Sequence, residues 1–337
     1  MRTAEVLDLL RLRNLDRNES FGVFQRIVQG DMVEVEIAAI LAAFKTRGET
    51  PAEIAGAAQA MRSAAVPFPA PDYSYADTCG TGGDGVGSLN ISTAVAFVAA
   101  EMGIPVAKHG NRSVSSRCGS ADVLESLGVT LDVSPELSRR CLDEAGVCFL
   151  LAPQYHPGVR HAMPVRRTLA TRTMFNLLGP LANPARPTWQ LMGVYDPRLV
   201  APLAETLGLL GCSAALVVHG SGHDELALHG SSTVARWKHG HLDTLVITPE
   251  GAGVSPAPAD ALQGGGPEEN AAWLRALLEG QATTAQVDAV ALNAGALAWV
   301  ADADPTLPGA VARAREVILS GAAVRRLNQL IELTHGA

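Results

Sequence analysis

The chain has 337 residues, 47% of them hydrophobic and 18% charged, with a net charge of −8; that balance suits a globular protein with room for a large domain and a small one. The negative sign argues against a general nucleic-acid binder, which needs basic surface to displace counterions, so any anionic ligand has to be held by local devices. Five cysteines (79, 118, 141, 148, 212) without C-x-x-C spacing argue against a disulfide framework or zinc site. The N-terminus lacks a signal-peptide core, and the longest apolar stretch, Ala289 to Ala301, is broken by Asn293, so a cytoplasmic protein without a membrane partner is expected.

The first 65 residues carry helical spacing, with Leu7, Leu9 and Leu10 in one segment and Phe21, Phe24, Ile27 and Val28 in the next. A third helix is predicted from about Met32 to Lys45, and Thr50-Pro51-Ala52-Glu53 opens a fourth with a capping box. Residues 1–66 are therefore expected to form a small helical domain suited to docking or dimerising. The proline-rich run from Val66 to Asp72 is the predicted boundary. Beyond it strands alternate with helices, which predicts an α/β domain over 72–337 around a mostly parallel sheet. Strands are expected at 73–78, 104–107, 147–151, 190–195 and 214–219, with a hairpin pairing 234–237 and 242–247 across Lys238-His239-Gly240-His241. Residues 158 to 178 read as helix ending at Gly179-Pro180, and about 158–180 is expected to add to the helical domain.

In an open parallel sheet, ligands sit beyond the carboxyl ends of the strands. The unusual polar clusters of this chain fall there. Asp77-Thr-Cys-Gly-Thr-Gly-Gly-Asp-Gly-Val-Gly-Ser88, followed by Asn90-Ile-Ser-Thr93, is a glycine-rich turn running into a helix, which presents backbone N–H groups to an anion. Lys108-His-Gly-Asn-Arg112 with Ser115 and Ser116 adds cations and hydroxyls, and Gly119-Ser120 opens the next helix. Pro153 to Pro157 follows the third strand. Asp224-Glu225 supplies two carboxylates, as a magnesium-bound diphosphate requires. His219 and His223 are four apart, but a glycine-broken run does not favour zinc. Arg166 is a planar donor suited to a substrate carboxylate, whereas Arg167 reads as solvated surface.

These motifs, with Gly119-Ser-Ala-Asp122, Arg172-Thr-Met-Phe-Asn-Leu-Leu-Gly-Pro-Leu-Ala-Asn-Pro184 and Leu292-Asn-Ala-Gly-Ala296, closely resemble the anthranilate phosphoribosyltransferase family over nearly the whole chain. The resemblance implies a fold of the nucleoside phosphorylase/phosphoribosyltransferase type. It implies transfer of the phosphoribosyl group of phosphoribosyl diphosphate (PRPP) to anthranilate in tryptophan biosynthesis, with Mg²⁺, two per subunit. A homodimer through the helical domain is implied as well. Carried over by motif, Gly80, Gly83, Asp84, Ser88, Asn90, Ile91, Ser92, Thr93, Lys108, Ser116 and Ser120 resemble the PRPP contacts. Gly80, His109, Asn111, His156, Arg166 and Pro180 resemble the anthranilate contacts and channel walls, and Ser92, Asp224 and Glu225 the metal ligands. No covalent nucleophile is implied. Two departures stand out: Cys118 replaces a commoner small hydroxyl residue, and His223 a commoner apolar one. The competing readings are a pyrimidine nucleoside phosphorylase, whose first motif has a different order around its acid, and a non-catalytic nucleic-acid-binding relative.

Overall fold

The computed structural model describes residues 1–113 and 117–335. It opens with four helices: α1 (Thr3–Leu12), α2 (Arg17–Gln29), α3 (Glu34–Arg47) and α4 (Pro51–Ser63). The capping box at Thr50 forms: its backbone N–H donates to Glu53 Oε2 at 2.9 Å, and the Glu53 N–H donates back to Thr50 Oγ1. Two N–H donors of the first turn are thereby satisfied.

The sheet is built from β1 (Ala76–Gly80), β2 (Val106–Gly110), β3 (Val147–Leu151), β4 (Trp189–Gly193), β5 (Ala214–Gly220), β6 (Ser232–Lys238) and β7 (His241–Ile247). Its order is β3-β2-β1-β4-β5-β6-β7; the first five run parallel and the last two antiparallel. The predicted hairpin forms with Lys238 opposite His241. Its turn residues His239 and Gly240 both take positive φ, the twist that two-residue hairpins favour. The chain builds from β1 out to β3 and then returns to place β4 on the other side of β1. The carboxyl ends of β1 and β4 therefore flank the point where the winding reverses, where such sheets open a crevice.

The glycine turn leads from β1 into α5 (Ile91–Glu101), which is buried from Ile91 to Ala100 except for Ser92. After β2 come α6 (Ser120–Ser126) and α7 (Pro135–Ala145). After a short α8 (Ala152–Tyr155), the stretch expected as one helix over 158–178 is instead broken into a 3₁₀ turn (Pro157–His161) and two short helices, α9 (Met163–Leu169) and α10 (Phe175–Leu181). The break after α9 is at Ala170, which takes a left-handed conformation (φ 46°). Pro180 lies inside α10 rather than ending it. Because α10 is a single short run opened by tight Asn176-to-Thr173 and Leu177-to-Met174 bonds, the N–H that proline lacks costs it one late bond only. The chain closes through α11 (Val200–Leu209), α12 (Pro267–Leu278), α13 (Thr284–Val300), α14 (Leu307–Leu319) and α15 (Val324–His335).

Alternating strand residues feed two apolar cores on opposite faces of the sheet. Leu216 and Val218 join α5, α13 and α14 on one face, and Ala215 and Val217 join α1–α4, α9, α10 and α11 on the other. Fully burying one such aliphatic side chain contributes about 1.5–3 kcal/mol. Among the described residues no helix is long and apolar enough to cross a membrane.

Candidate active site

Three adjacent strands, β1, β4 and β5, end at Gly80, Gly193 and Gly220. The segment Asp224-Glu225 crosses directly over them. A Cβ added at Gly80 would stand 2.2 Å from Asp224 Oδ2; at Gly193, 1.4 Å from the Asp224 carbonyl oxygen; at Gly220, 2.2 Å from the Glu225 carbonyl oxygen. Real Cβ atoms do not approach within 3.0 Å, so the acidic pair can lie this low only because all three strands end without side chains. Asn293 then fixes its height from α13, accepting the Leu226 N–H at 3.0 Å and donating to the Leu226 carbonyl at 3.1 Å. On the other side, His219 closes the Gly220–His223 turn, with Nδ1 on the Val194 carbonyl (2.8 Å) and Nε2 accepting the Gly222 N–H (3.1 Å). Both ring nitrogens are thus engaged in the backbone, which fits the reading against zinc.

The acidic pair meets the glycine turn directly. The Gly82 N–H donates to Asp224 Oδ2 at 2.7 Å, and the Val86 N–H donates to Asp84 Oδ1 at 3.1 Å. Gly82, Gly83, Gly85 and Gly87 all take positive φ, which lets the turn curl back over β4. Desolvation, reinforced by Asp84, raises the Asp224 carboxyl well above the usual carboxylate range. Desolvation and Asp224 do the same to Glu225, against the pull of Lys108 and the Ser92 N–H. Lys108 is 3% exposed, with Nζ donating to the Thr78 carbonyl at 2.5 Å and to Ser92 Oγ at 3.2 Å. Sequence reasoning placed Asp84, Ser92, Lys108, Asp224 and Glu225 in one crevice, and the structure joins them through these contacts.

At the other end of the crevice, His109 and His156 meet edge to face with centroids 5.1 Å apart. Burial pushes them down to about 3 and about 4, so both are neutral near pH 7. His109 Nδ1 donates to the Gly179 carbonyl (3.0 Å), and Nε2 of each ring is buried without a hydrogen-bond partner. Two further α10 carbonyls are held as well, Pro180 by Gln190 Nε2 and Leu181 by Arg62 Nε, both at 2.7 Å. Arg166 lies over the Phe175 ring at 5.5 Å and reaches Met163 Sδ at 3.7 Å; no ion pair links it to a carboxylate among the described residues. A half-buried guanidinium against sulfur and an aromatic face is poorly solvated, and burial lowers its proton affinity.

Other expected residues stand as follows. Ser88 bridges to Gln263, and Asn90 is tied to Asn270 (2.8 Å) and the Cys118 carbonyl (3.3 Å), which anchors the turn to α12. The Ile91 side chain belongs to the core, leaving only its backbone for a ligand. Thr93 Oγ1 is buried without a partner. Ser120 Oγ reaches the Asn111 carbonyl at 3.4 Å, and Asn111 itself is exposed. Ser116, with Ser115, lies outside the described residues. Arg112, read as a fixed charge for the ligand, instead pairs with Glu125 and Asp122 on α6. Gly193, Gly220 and Asn293 were missed as site residues; the one signal for them was Asn293 as the lone polar residue in an apolar stretch.

Residues 6–65 match the "Glycosyl transferase family, helical bundle domain" and residues 72–324 the "Glycosyl transferase family, a/b domain". The chain is 57% identical over 321 residues to an anthranilate phosphoribosyltransferase of Sorangium cellulosum, covering 95% of this chain and 92% of that one. It is 50% identical over 323 residues to that of Aeromonas hydrophila, covering 96% and 94%. Among solved structures it superposes with a TM-score of 0.94 on the anthranilate phosphoribosyltransferase of Thermus thermophilus, at 45% identity and 99% and 100% coverage. With the Saccharomyces cerevisiae enzyme in complex with PRPP and Mg the TM-score is 0.91, at 25% identity and 99% and 98% coverage.

Proposed function

The chain belongs to the anthranilate phosphoribosyltransferase family, and from that premise we propose that it transfers the 5-phosphoribosyl group of PRPP to the amine of anthranilate. The products are N-(5-phosphoribosyl)anthranilate and diphosphate, within tryptophan biosynthesis in the cytoplasm. The relatives support this reading and not the nucleoside phosphorylase or nucleic-acid-binding alternatives. The observation that carries it is the Gly82 N–H on Asp224, which places a carboxylate pair under a phosphate-type turn.

The donor set fits magnesium. Ser92, Asp224 and Glu225 offer hard oxygens, and burial, with the neighbouring carboxylates, makes ionising the acidic pair costly, a cost that a bound cation offsets. Among the described residues no group of three His, Cys, Asp or Glu is placed to hold a metal ion, and Mg²⁺ is commonly held by one or two carboxylates with waters and substrate oxygens. Ser92 with Glu225 would hold one Mg²⁺ and Asp224 with Glu225 a second; when bound, the ions neutralise the charge that develops on the departing diphosphate. The rest is positioning. Backbone N–H groups of Gly80 to Ser88 and the start of α5 orient the phosphates, with Asn90, Ile91 and Thr93 around the sugar phosphate and Lys108, Ser116 and Ser120 contributing charge and hydroxyls. Arg166 and Asn111 hold the anthranilate carboxylate, while Gly80, His109, His156 and Pro180 wall its ring. The bond from ribose C1 to the diphosphate oxygen breaks with its electron pair leaving on oxygen. The amine lone pair closes on C1 from the opposite face, and the amine proton passes to solvent. The two neutral histidines supply apolar edges rather than charge, which suits a flat aromatic amine.

We place a homodimer on the helical residues 1–66, with 158–180 packed against them. Leu12, Val33 and Val35, respectively 69%, 62% and 73% exposed, support that placement. Loss of anthranilate fluorescence on adding PRPP and Mg²⁺, abolished by EDTA, tests the activity; phosphorolysis of a nucleoside without Mg²⁺ would overturn it.

A further inference from the structure

The glycine turn is fastened at both ends. At its start the Thr81 N–H donates to the Gly193 carbonyl (2.9 Å) and the Tyr195 N–H to Thr81 Oγ1 (3.2 Å). At its finish the Gly264 N–H and Gln263 Nε2 both donate to the Gly87 carbonyl, at 2.9 and 3.0 Å. Between these fixed points lies Gly83-Asp84, and there a residue of the opposite core's loop reaches in. Arg172, between α9 and α10, donates from Nη2 to the Gly83 carbonyl. Its guanidinium lies 3.8 Å from the centroid of the Tyr195 ring, the same residue whose backbone holds Thr81. Its own carbonyl accepts Lys45 Nζ of α3 at 2.9 Å.

The geometry points to Arg172 as a positioning residue: a latch that sets the height of Gly83 and Asp84 for the PRPP phosphates and ties that height to the helical bundle through Lys45. The side chain suits the task. A planar guanidinium can lie flat on Tyr195 and still present an in-plane N–H to Gly83, whereas a lysine ammonium cannot do both. The Gly83 carbonyl and the Asp84 N–H share one trans peptide plane, so a carbonyl held by Arg172 points the Asp84 N–H away from Arg172. The inference rests on the PRPP reading of the turn. It extends that reading, because it makes donor binding sensitive to a contact from the acceptor side of the sheet.

The test uses the full chain with Arg172→Ala, Arg172→Lys and Lys45→Met, comparing melting temperature, KM for each substrate, calorimetric PRPP binding with Mg²⁺, and hydrogen exchange of the 82–86 amides. Arg172→Ala is expected to raise the KM and Kd for PRPP about tenfold, the loss of one charge-assisted hydrogen bond. KM for anthranilate should stay within about twofold at unchanged melting temperature, since Arg172 is exposed. The 82–86 amides should exchange faster, Arg172→Lys should not rescue, and Lys45→Met should shift PRPP in the same direction by less. Unchanged PRPP affinity in Arg172→Ala, equal loss for both substrates, or full rescue by lysine overturns the latch. If the native chain neither transfers nor binds PRPP, the functional reading fails instead, and the exchange of 82–86 alone decides whether Arg172 holds the turn.

Discussion

Gly193→Ala probes the floor of the site most sharply. The added methyl would sit 1.4 Å from the Asp224 carbonyl oxygen, and reaching even 3.0 Å requires a retreat of about 1.6 Å. The strand cannot give way, because Gly193 is paired in register with Gly80 on one side and Val218 on the other. The acidic segment has to rise, breaking the Gly82-to-Asp224 bond or straining the Asn293 clamp. A misplacement of about 1 Å costs on the order of 100-fold in rate, so kcat should fall at least about 100-fold, or about 2.7 kcal/mol in the barrier. The Mg²⁺ concentration for half-maximal velocity should rise with it. Initial velocities from anthranilate fluorescence at several Mg²⁺ concentrations give both. The control is Gly208→Ala on α11, whose methyl would meet the Trp237 ring at 2.1 Å, away from the acidic pair. That variant should lose melting temperature while keeping its Mg²⁺ dependence. A Gly193→Ala enzyme with kcat within threefold of native and unaltered Mg²⁺ dependence would refute the steric account.

Arg166→Ala should chiefly raise the KM for anthranilate, by about tenfold or more for a lost charge-assisted pair, with calorimetric PRPP binding unchanged. Asp224→Asn and Glu225→Gln should lower turnover at saturating Mg²⁺; wild-type kinetics in either would remove it from the ligand set. Because burial lowers His109 and His156 from 6.5 to about 3 and about 4, the unfolded chain takes up their protons first as pH falls. Their contribution is therefore intact above about pH 6.5 and is lost as pH drops toward 4, by at most about 1.4 kcal/mol per pH unit for each ring. Urea unfolding between pH 4.5 and 7.5 should show this slope, and His156→Gln should flatten it. The acidic pair works in the other sense: its raised carboxyls cost stability as pH rises above about 4.5 through their folded values, so saturating Mg²⁺ should protect the melting temperature more at pH 8.5 than at pH 6.

Much of this architecture was legible from local pattern. The Thr50 capping box, the alternation of apolar runs and the two-residue hairpin turn depend on neighbours in sequence, and each appears where expected. The phosphate-type turn and the acidic pair were legible because glycine density and adjacent carboxylates are rare enough to stand out. Other features depend on partners far along the chain. The strand expected to stop at Thr78 runs on to Gly80 because Gly80 pairs with Gly193, a register no local propensity encodes. The roles of Gly193 and Gly220 come from a segment that crosses them after a turn, and Asn293 acts on Leu226 across 67 residues. Arg112 was misread because its partner Glu125 lies on the next helix. Residues 158–178 broke into short pieces because Ala170 takes a left-handed turn that alanine spacing does not announce.

The two cores on opposite faces of the sheet carry different halves of the site. α5 and α13, which support the phosphate turn and the acidic pair, belong to one; α9 and α10, which carry Arg166 and the Gly179–Leu181 carbonyls, belong to the other. On the proposed reading, donor and acceptor recognition therefore rest on different cores that meet at the turn held by Arg172. A substitution that loosens Phe24 or Leu178 should impair anthranilate use before PRPP use, and one that loosens Phe97 or Leu297 the reverse. Variation in the core of Phe24 and Leu178 could then reshape the acceptor pocket, one aromatic amine for another, reaching the phosphoribosyl half through Arg172 and Lys45.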